Sequence, residues 1–115
     1  MTEFTVVEGA QLEHFPSTRE FIGRDHGTDI CFILVDMAPG EGVRLHRHAY
    51  PEIFIVQEGS ATYRVGSQTL EVRAPQTLIV PSGVAHGFTN TGSTRLKQVD
   101  IHLSPHFITE WLEPG

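Results

Sequence analysis

Cysteine is almost missing from this chain. Cys31 is the only one in 115 residues, so no disulfide can form within it. It lies in the apolar run ICFILV, where a thiol reads as buried and inert. Basic residues are also few, 8 Lys and Arg against 14 Asp and Glu, and they stand singly. That leaves no footprint for nucleic acid and no patch for an acidic lipid surface. No run approaches the roughly 18 apolar residues that a membrane-spanning helix needs. The opening stretch MTEFTVVEGAQ has neither a basic start nor a long apolar stretch, so a soluble cytoplasmic protein is expected. Nothing suggests a Ser/His/Asp or Cys/His nucleophile.

What is present reads as one domain over residues 1–115, large enough to bury a core without disulfide or metal staples. A metal here would therefore serve function rather than folding. The 11 glycines and 7 prolines are spread along the whole length, between short runs of Val, Ile, Phe, Thr and Leu. This is the pattern of an all-β sandwich or barrel. Strands are expected at 30–37, 43–48, 52–57, 61–65, 69–72, 77–80 and 96–103. Turn signals such as Ala38-Pro39-Gly40 and Pro81-Ser82-Gly83 separate them, and 61–80 reads as two successive hairpins. Two helical pieces are expected: a turn at 17–21 and a short C-terminal helix at 104–112. Ser104 would cap the latter and Pro105 begin it. Phe107, Ile108, Trp111 and Leu112 would form its apolar face.

The most informative stretch is GEGVRLHRHAYPEIFIVQEG. Side chains alternate along a strand, so His46 and His48 point the same way. Glu52 opens the next apolar strand, and if 43–48 and 52–57 are hairpin neighbours it lies opposite both imidazoles. His86 follows a tight Pro-Ser-Gly turn that can bring it to the same rim. Imidazoles with one carboxylate suit one divalent transition metal: Fe, Mn, Zn, Ni, Co or Cu. Such a set leaves coordination positions open for substrate, water or O₂.

The joint pattern resembles the cupin superfamily. Its first motif, G-x5-H-x-H-x3,4-E-x6-G, is matched from Gly40 through His46, His48 and Glu52 to Gly59. Its second, G-x5-P-x-G-x2-H-x3-N, is matched by Pro81, Gly83, His86 and Asn90, with Pro75 in place of the leading glycine. That departure is expected to change a turn and leave the site intact. The resemblance covers about residues 30–103. It implies a double-stranded β-helix, the jelly-roll barrel, with His46, His48, Glu52 and His86 as metal ligands. It also gives Gly40, Gly59 and Gly83 to turns, Pro81 to the turn before His86, and Asn90 to hydrogen bonding.

Strand phase extends the site. Glu52 inward carries Phe54 and Val56 inward, and His86 carries Phe88. Ile53 and Ile55 face the other way, so this strand is covered on both sides, by a second layer or a second subunit. On 96–103, Leu96, Gln98, Asp100 and His102 share one face, which is either a solvated outer face or the polar wall of the pocket. Gln98 and His102 are the candidates there for contact with a ligand or a metal-bound group, and His102 is the candidate acid/base. Arg47 should face away from the metal, into solvent or a salt bridge. Arg44 shares the ligand face and is a candidate for an anionic substrate group, with a rim charge as the plainer reading. Tyr50 is a candidate cover for the pocket mouth. His14, His26 and His106 have no motif context.

The chain is therefore expected to be a small metalloenzyme of dioxygenase, isomerase or lyase type acting on a small organic molecule. The alternative is a non-catalytic, sugar-type binding or sensing protein. A regulatory relative would usually carry a DNA-binding domain, which favours the enzyme. A homodimer through a covered sheet face is expected.

Overall fold

The computed structural model describes residues 3–114. Among them lie eleven strands: β1 (Glu13–His14), β2 (Thr18–Phe21), β3 (Cys31–Met37), β4 (Gly42–Arg47), β5 (Glu52–Glu58), β6 (Ser60–Val65), β7 (Gln68–Arg73), β8 (Thr77–Val80), β9 (His86–Thr89), β10 (Leu96–His102) and β11 (Glu110–Trp111). They form two antiparallel sheets, ordered β1-β2-β3-β10-β5-β8 and β11-β4-β9-β6-β7. The sheets face one another as a jelly-roll barrel. Two short 3₁₀ turns, Gly9–Gln11 and Gly23–His26, are the only helical segments among the described residues.

The core follows from period-two alternation. On β5 and β10 every second residue is buried: Glu52, Phe54 and Val56 on one, Leu96, Gln98, Asp100 and His102 on the other. They stand beside one another, His102 opposite Glu52, Asp100 opposite Phe54 and Gln98 opposite Val56. The opposite sheet contributes Ala61, Tyr63, Val72 and Phe88 to the same core. Tyr63 stacks on Phe88 at 5.2 Å and meets Phe54 edge-on at 5.4 Å. Gly59 closes the β5–β6 turn at a φ of 78°, where a Cβ would lie 2.4 Å from the Arg95 carbonyl oxygen, so only glycine fits.

Several expectations need correction. The 104–112 segment is not a helix. The Ser104 hydroxyl does accept the His106 amide at 3.2 Å, as a cap would, but no helical turn follows. Instead β11 pairs with β4, Glu110 opposite Arg47 and Trp111 opposite His46. A helix this short is marginal in water, whereas the exposed edge of β4 offers unpaired backbone groups. Pairing wins, and Leu112 N donates to Leu45 O at 3.0 Å. The 17–21 segment is likewise not helical: Thr18–Phe21 is strand, and β2 pairs with β3 from Thr18 opposite Val35 to Phe21 opposite Phe32.

The 61–80 interval holds one hairpin, β6–β7, not two. At the turn carrying the cis Ala74–Pro75 peptide the chain crosses to the other sheet, and β8 pairs with β5. Nor are β4 and β5 hairpin neighbours; they lie in opposite sheets. The Ala49-Tyr50-Pro51 connection crosses the barrel instead of reversing within one sheet.

Candidate metal centre

The crossing between sheets is what assembles the site. β4 and β9 bring His46 opposite His86, and His48 follows directly after β4. β5 brings Glu52 from the facing sheet. The second motif is tied to the first by a backbone bond, Gly83 N to His48 O at 2.7 Å, made from a left-handed Gly83 with φ of 79°. One ligand atom from each of His46, His48, Glu52 and His86 lies within 4.8 Å of all the others, and all four residues are buried.

Each imidazole is oriented by the backbone. His46 Nδ1 meets Arg44 O at 2.7 Å, His48 Nδ1 meets Ile108 O at 2.8 Å and His86 Nδ1 meets Val84 O at 2.9 Å. A carbonyl oxygen only accepts, so each Nδ1 carries a proton, which leaves each Nε2 as the ring atom turned toward the cluster. Metal-binding histidines are fixed in this way. His48 Nε2 is buried with no hydrogen-bond partner. It lies 3.1 Å from Glu52 Oε1, and His86 Nε2 lies 3.0 Å from the same oxygen. Burial pushes the His46 imidazole down to about 4, so it is neutral at physiological pH. Burial would push the Glu52 carboxyl up, but imidazole hydrogen bonding, from His102 first, overrides that and holds it well below the usual carboxylate range. Three imidazoles and one carboxylate, converging with an orphaned nitrogen, fit one divalent transition metal.

His102 stands on the other side of Glu52, its Nε2 3.1 Å from Oε2. Its Nδ1 lies 2.7 Å from the Tyr50 hydroxyl, which accepts the Ile108 amide at 3.3 Å. The tautomer that serves all three groups has Tyr50 donating to Nδ1, so that His102 Nε2–H faces Glu52 Oε2. Burial raises the Tyr50 phenol to about 12, which keeps its proton in place. Deeper in, Tyr63 donates to Gln98 Oε1, and Gln98 Nε2 donates to Asp100 Oδ1 at 2.8 Å. Burial, and then repulsion from Glu52, push the Asp100 carboxyl well above its ordinary value.

The cavity above the cluster has a volume of about 440 Å³. Phe54, Phe88 and His102 line it, with His46, His48, Glu52 and Asp100. Three sequence candidates sit elsewhere. Gln98 is buried behind the wall, and Tyr50 stacks against His48 at 4.8 Å without lining the cavity. Arg44 faces out: a bulge between Val43 and His46 breaks strict alternation, so Val43 lines the cavity in its place. The Arg44 guanidinium lies 4.0 Å over the Trp111 ring, and its Nε donates to Glu113 O at 2.9 Å. Arg47 makes a two-pronged ion pair with Glu110, at 2.8 and 3.0 Å. The β10 polar face is buried pocket wall, not a solvated outer face. The candidates drawn from sequence did not include Asp100, whose signal was its shared face with His102. They also left out Glu20, Phe107 and Trp111, which lie in or beside segments expected to be helical.

A jelly-roll barrel with three imidazoles and one carboxylate gathered at its mouth defines a single-metal barrel protein. The chain belongs to the cupin domain family, whose model matches residues 33–102. It is 38% identical over 73 residues to the polyketide synthase CurC of Streptomyces cyaneus, covering 63% of this chain and 47% of that one. It is 32% identical over 59 residues to the dimethylsulfoniopropionate lyase DddW of Ruegeria pomeroyi, covering 51% of this chain and 39% of that one. The chain thus spans about half or less of the length of these relatives. Among solved structures, Lactobacillus farciminis oxalate decarboxylase in its formate complex matches 88% of this chain and 33% of its own, with a TM-score of 0.74 and 20% identity. An oxalate oxidase matches 73% of this chain and 46% of its own, with a TM-score of 0.65 and 25% identity. None of the described helical segments is long and apolar enough to cross a membrane.

Proposed function

We propose that this chain is a small metalloenzyme of dioxygenase, isomerase or lyase type. In this reading His46, His48, Glu52 and His86 hold one divalent transition metal, and a small organic substrate occupies the cavity above it. One observation carries the reading: three histidines spend Nδ1 on backbone carbonyls, and their remaining ring nitrogens gather with one buried carboxylate. When bound, the metal supplies a Lewis acid with open coordination positions. The chain's own residues do the rest. Val43, Phe54 and Phe88 keep bulk water from the floor of the cavity. The Tyr50–His102 pair steadies Glu52 through its second oxygen, and His102, lining the cavity, is placed to hold or move a proton beside the substrate. Relatives named as a lyase and a polyketide synthase are compatible with small organic substrates.

The test is elemental analysis of protein purified without chelator. About one transition metal per chain is expected, and His48→Ala and Glu52→Ala should each abolish stoichiometric binding while far-UV circular dichroism stays β-type. Full occupancy in both variants would sink the assignment. Iron, with O₂ uptake against a metabolite panel, would single out the oxygenase branch.

The same reading includes a homodimer. The outer face of the six-stranded sheet carries a continuous apolar row, Phe32, Ile101, Ile53 and Ile79, set by register. Leu34, Val99 and Ile55 form the next row. Ile79 is 64% exposed and Leu34 39%, and a second copy would cover both. Sedimentation showing only monomer at micromolar concentration would refute this.

A further inference from the structure

The charge of the cavity restricts what can enter it. Its lining holds three carboxyls, Glu20, Glu52 and Asp100, and among the described residues no lysine or arginine. Arg19 adjoins Glu20 but donates to Phe15 O and Thr18 O. Arg44 lies over Trp111 and is engaged by Glu113, outside the lining. A divalent metal held by Glu52 would leave at most one net positive charge, which an ionised Glu20 reduces further, so at most a single ionised oxygen is matched. A second carboxylate or phosphate would stand among Glu20, Asp100 and apolar rings with no counter-charge, and burying such a group is strongly disfavoured.

The rest of the wall is aromatic. Phe54 and Phe88 form the buried floor, and Phe15, Phe107 and Trp111 the more open rim. Trp111 leans on His46 at 5.0 Å, and Phe107 meets His102 edge-on at 4.8 Å. Such rings favour a flat ring between them. The Glu20 carboxyl on the lining can accept a hydroxyl hydrogen, so a polar group beside it on that ring is best served as a donor.

We infer that the cavity takes a planar, hydroxylated aromatic molecule with at most one ionised oxygen, and rejects small polycarboxylates and phosphorylated compounds. This rests on the reading of the cavity as a metalloenzyme's substrate site. It sets the chain apart from the oxalate-handling proteins whose fold it shares.

Two probes with the same ring and substitution pattern test it. Resorcinol carries two neutral hydroxyls where isophthalate carries two carboxylates. Trp111, the only tryptophan in the chain, reports from the rim. With metal-loaded protein at neutral pH, resorcinol should change its emission saturably. Isophthalate should bind at least about tenfold more weakly, and oxalate should give no saturable change. Glu20→Gln should bring isophthalate several-fold closer without tightening resorcinol, an effect that mere damage to the fold would not produce. Isophthalate or oxalate binding as tightly as resorcinol would overturn the inference, and so would failure of resorcinol to saturate. Metal content measured on the same samples keeps the two readings apart. Missing metal with discrimination intact fails the metalloenzyme reading alone, and full metal with charge-indifferent binding fails this inference alone.

Discussion

The two sheets that face each other across the cavity carry opposite chemistry and hold it in opposite ways. The five-stranded sheet presents imidazoles, His46 and His86, with His48 just past β4. All three are fixed through Nδ1 by backbone carbonyls. The six-stranded sheet presents carboxyls, Glu20, Glu52 and Asp100, and a single imidazole, His102. There the fixing is done by side chains: Tyr50 holds His102, His102 faces Glu52, and Tyr63 and Gln98 hold Asp100. Backbone anchors survive almost any substitution that leaves the fold standing, while side-chain anchors do not. The imidazole wall should therefore be robust and the carboxyl wall tunable.

The largest break in that contrast should come from His102→Ala. It removes the group facing Glu52 Oε2 and leaves that oxygen buried without its neighbour. Partners of this kind change metal affinity by about 10–100-fold, so competition against a chelator should show a loss in that range. Unchanged affinity would mean that Glu52 needs no support. Tyr50→Phe leaves His102 in place but removes the hydroxyl that sets its tautomer. Its loss should be smaller, and it should not add to that of His102→Ala, because both act through one chain of contacts. A Tyr50→Phe effect that persists in the His102→Ala background would break the relay.

How far the sequence reveals this molecule depends on the range of the forces involved. Alternation on β5 and β10 is local, so Phe54 and Val56 are assigned inward, and Gln98, Asp100 and His102 to one shared face whose direction, inward, only the structure decides. The spacing of His46, His48, Glu52 and His86 is equally local, and the structure brings the four together. Pairing across the barrel is not local. Ala49-Tyr50-Pro51 reads like a hairpin turn but carries the chain between sheets, and so does the turn at Pro75. The bulge after Val43 depends on Gly87 opposite, where a Cβ would lie 2.9 Å from Val43 O; no pattern within β4 announces it, and it turns Arg44 outward. The C-terminal segment has a genuine helical pattern, Phe107, Ile108, Trp111 and Leu112, which the open edge of β4 overrides.

That segment also supplies the weakest point of the imidazole wall. Ile108 O, the only backbone anchor of the three that lies far along the chain, orients His48 from a tail held largely by exposed acids. Glu113 accepts the Leu45 amide at 2.8 Å and both guanidinium nitrogens of Arg64, at 2.6 and 3.0 Å, and Glu110 pairs with Arg47. The Arg64 guanidinium and then the Leu45 amide pull the Glu113 carboxyl down to about 2, and Arg47 lowers that of Glu110. A carboxyl depressed in the folded state stabilises it fully above its ordinary value of 4.5 and progressively less as pH falls toward the folded value. Attachment of the tail should therefore weaken between those limits, and Trp111 emission should report it. These groups are exposed, so the effect should be the smallest of the series and should shrink with added salt. Replacing both acids, Glu110→Gln with Glu113→Gln, should shift the emission at neutral pH and flatten its acid dependence. His46, poised at about 4, titrates within the same window and is untouched by that replacement. A full acid transition surviving in the double variant would move the tail's pH sensitivity from its own carboxylates to the metal cluster beneath it.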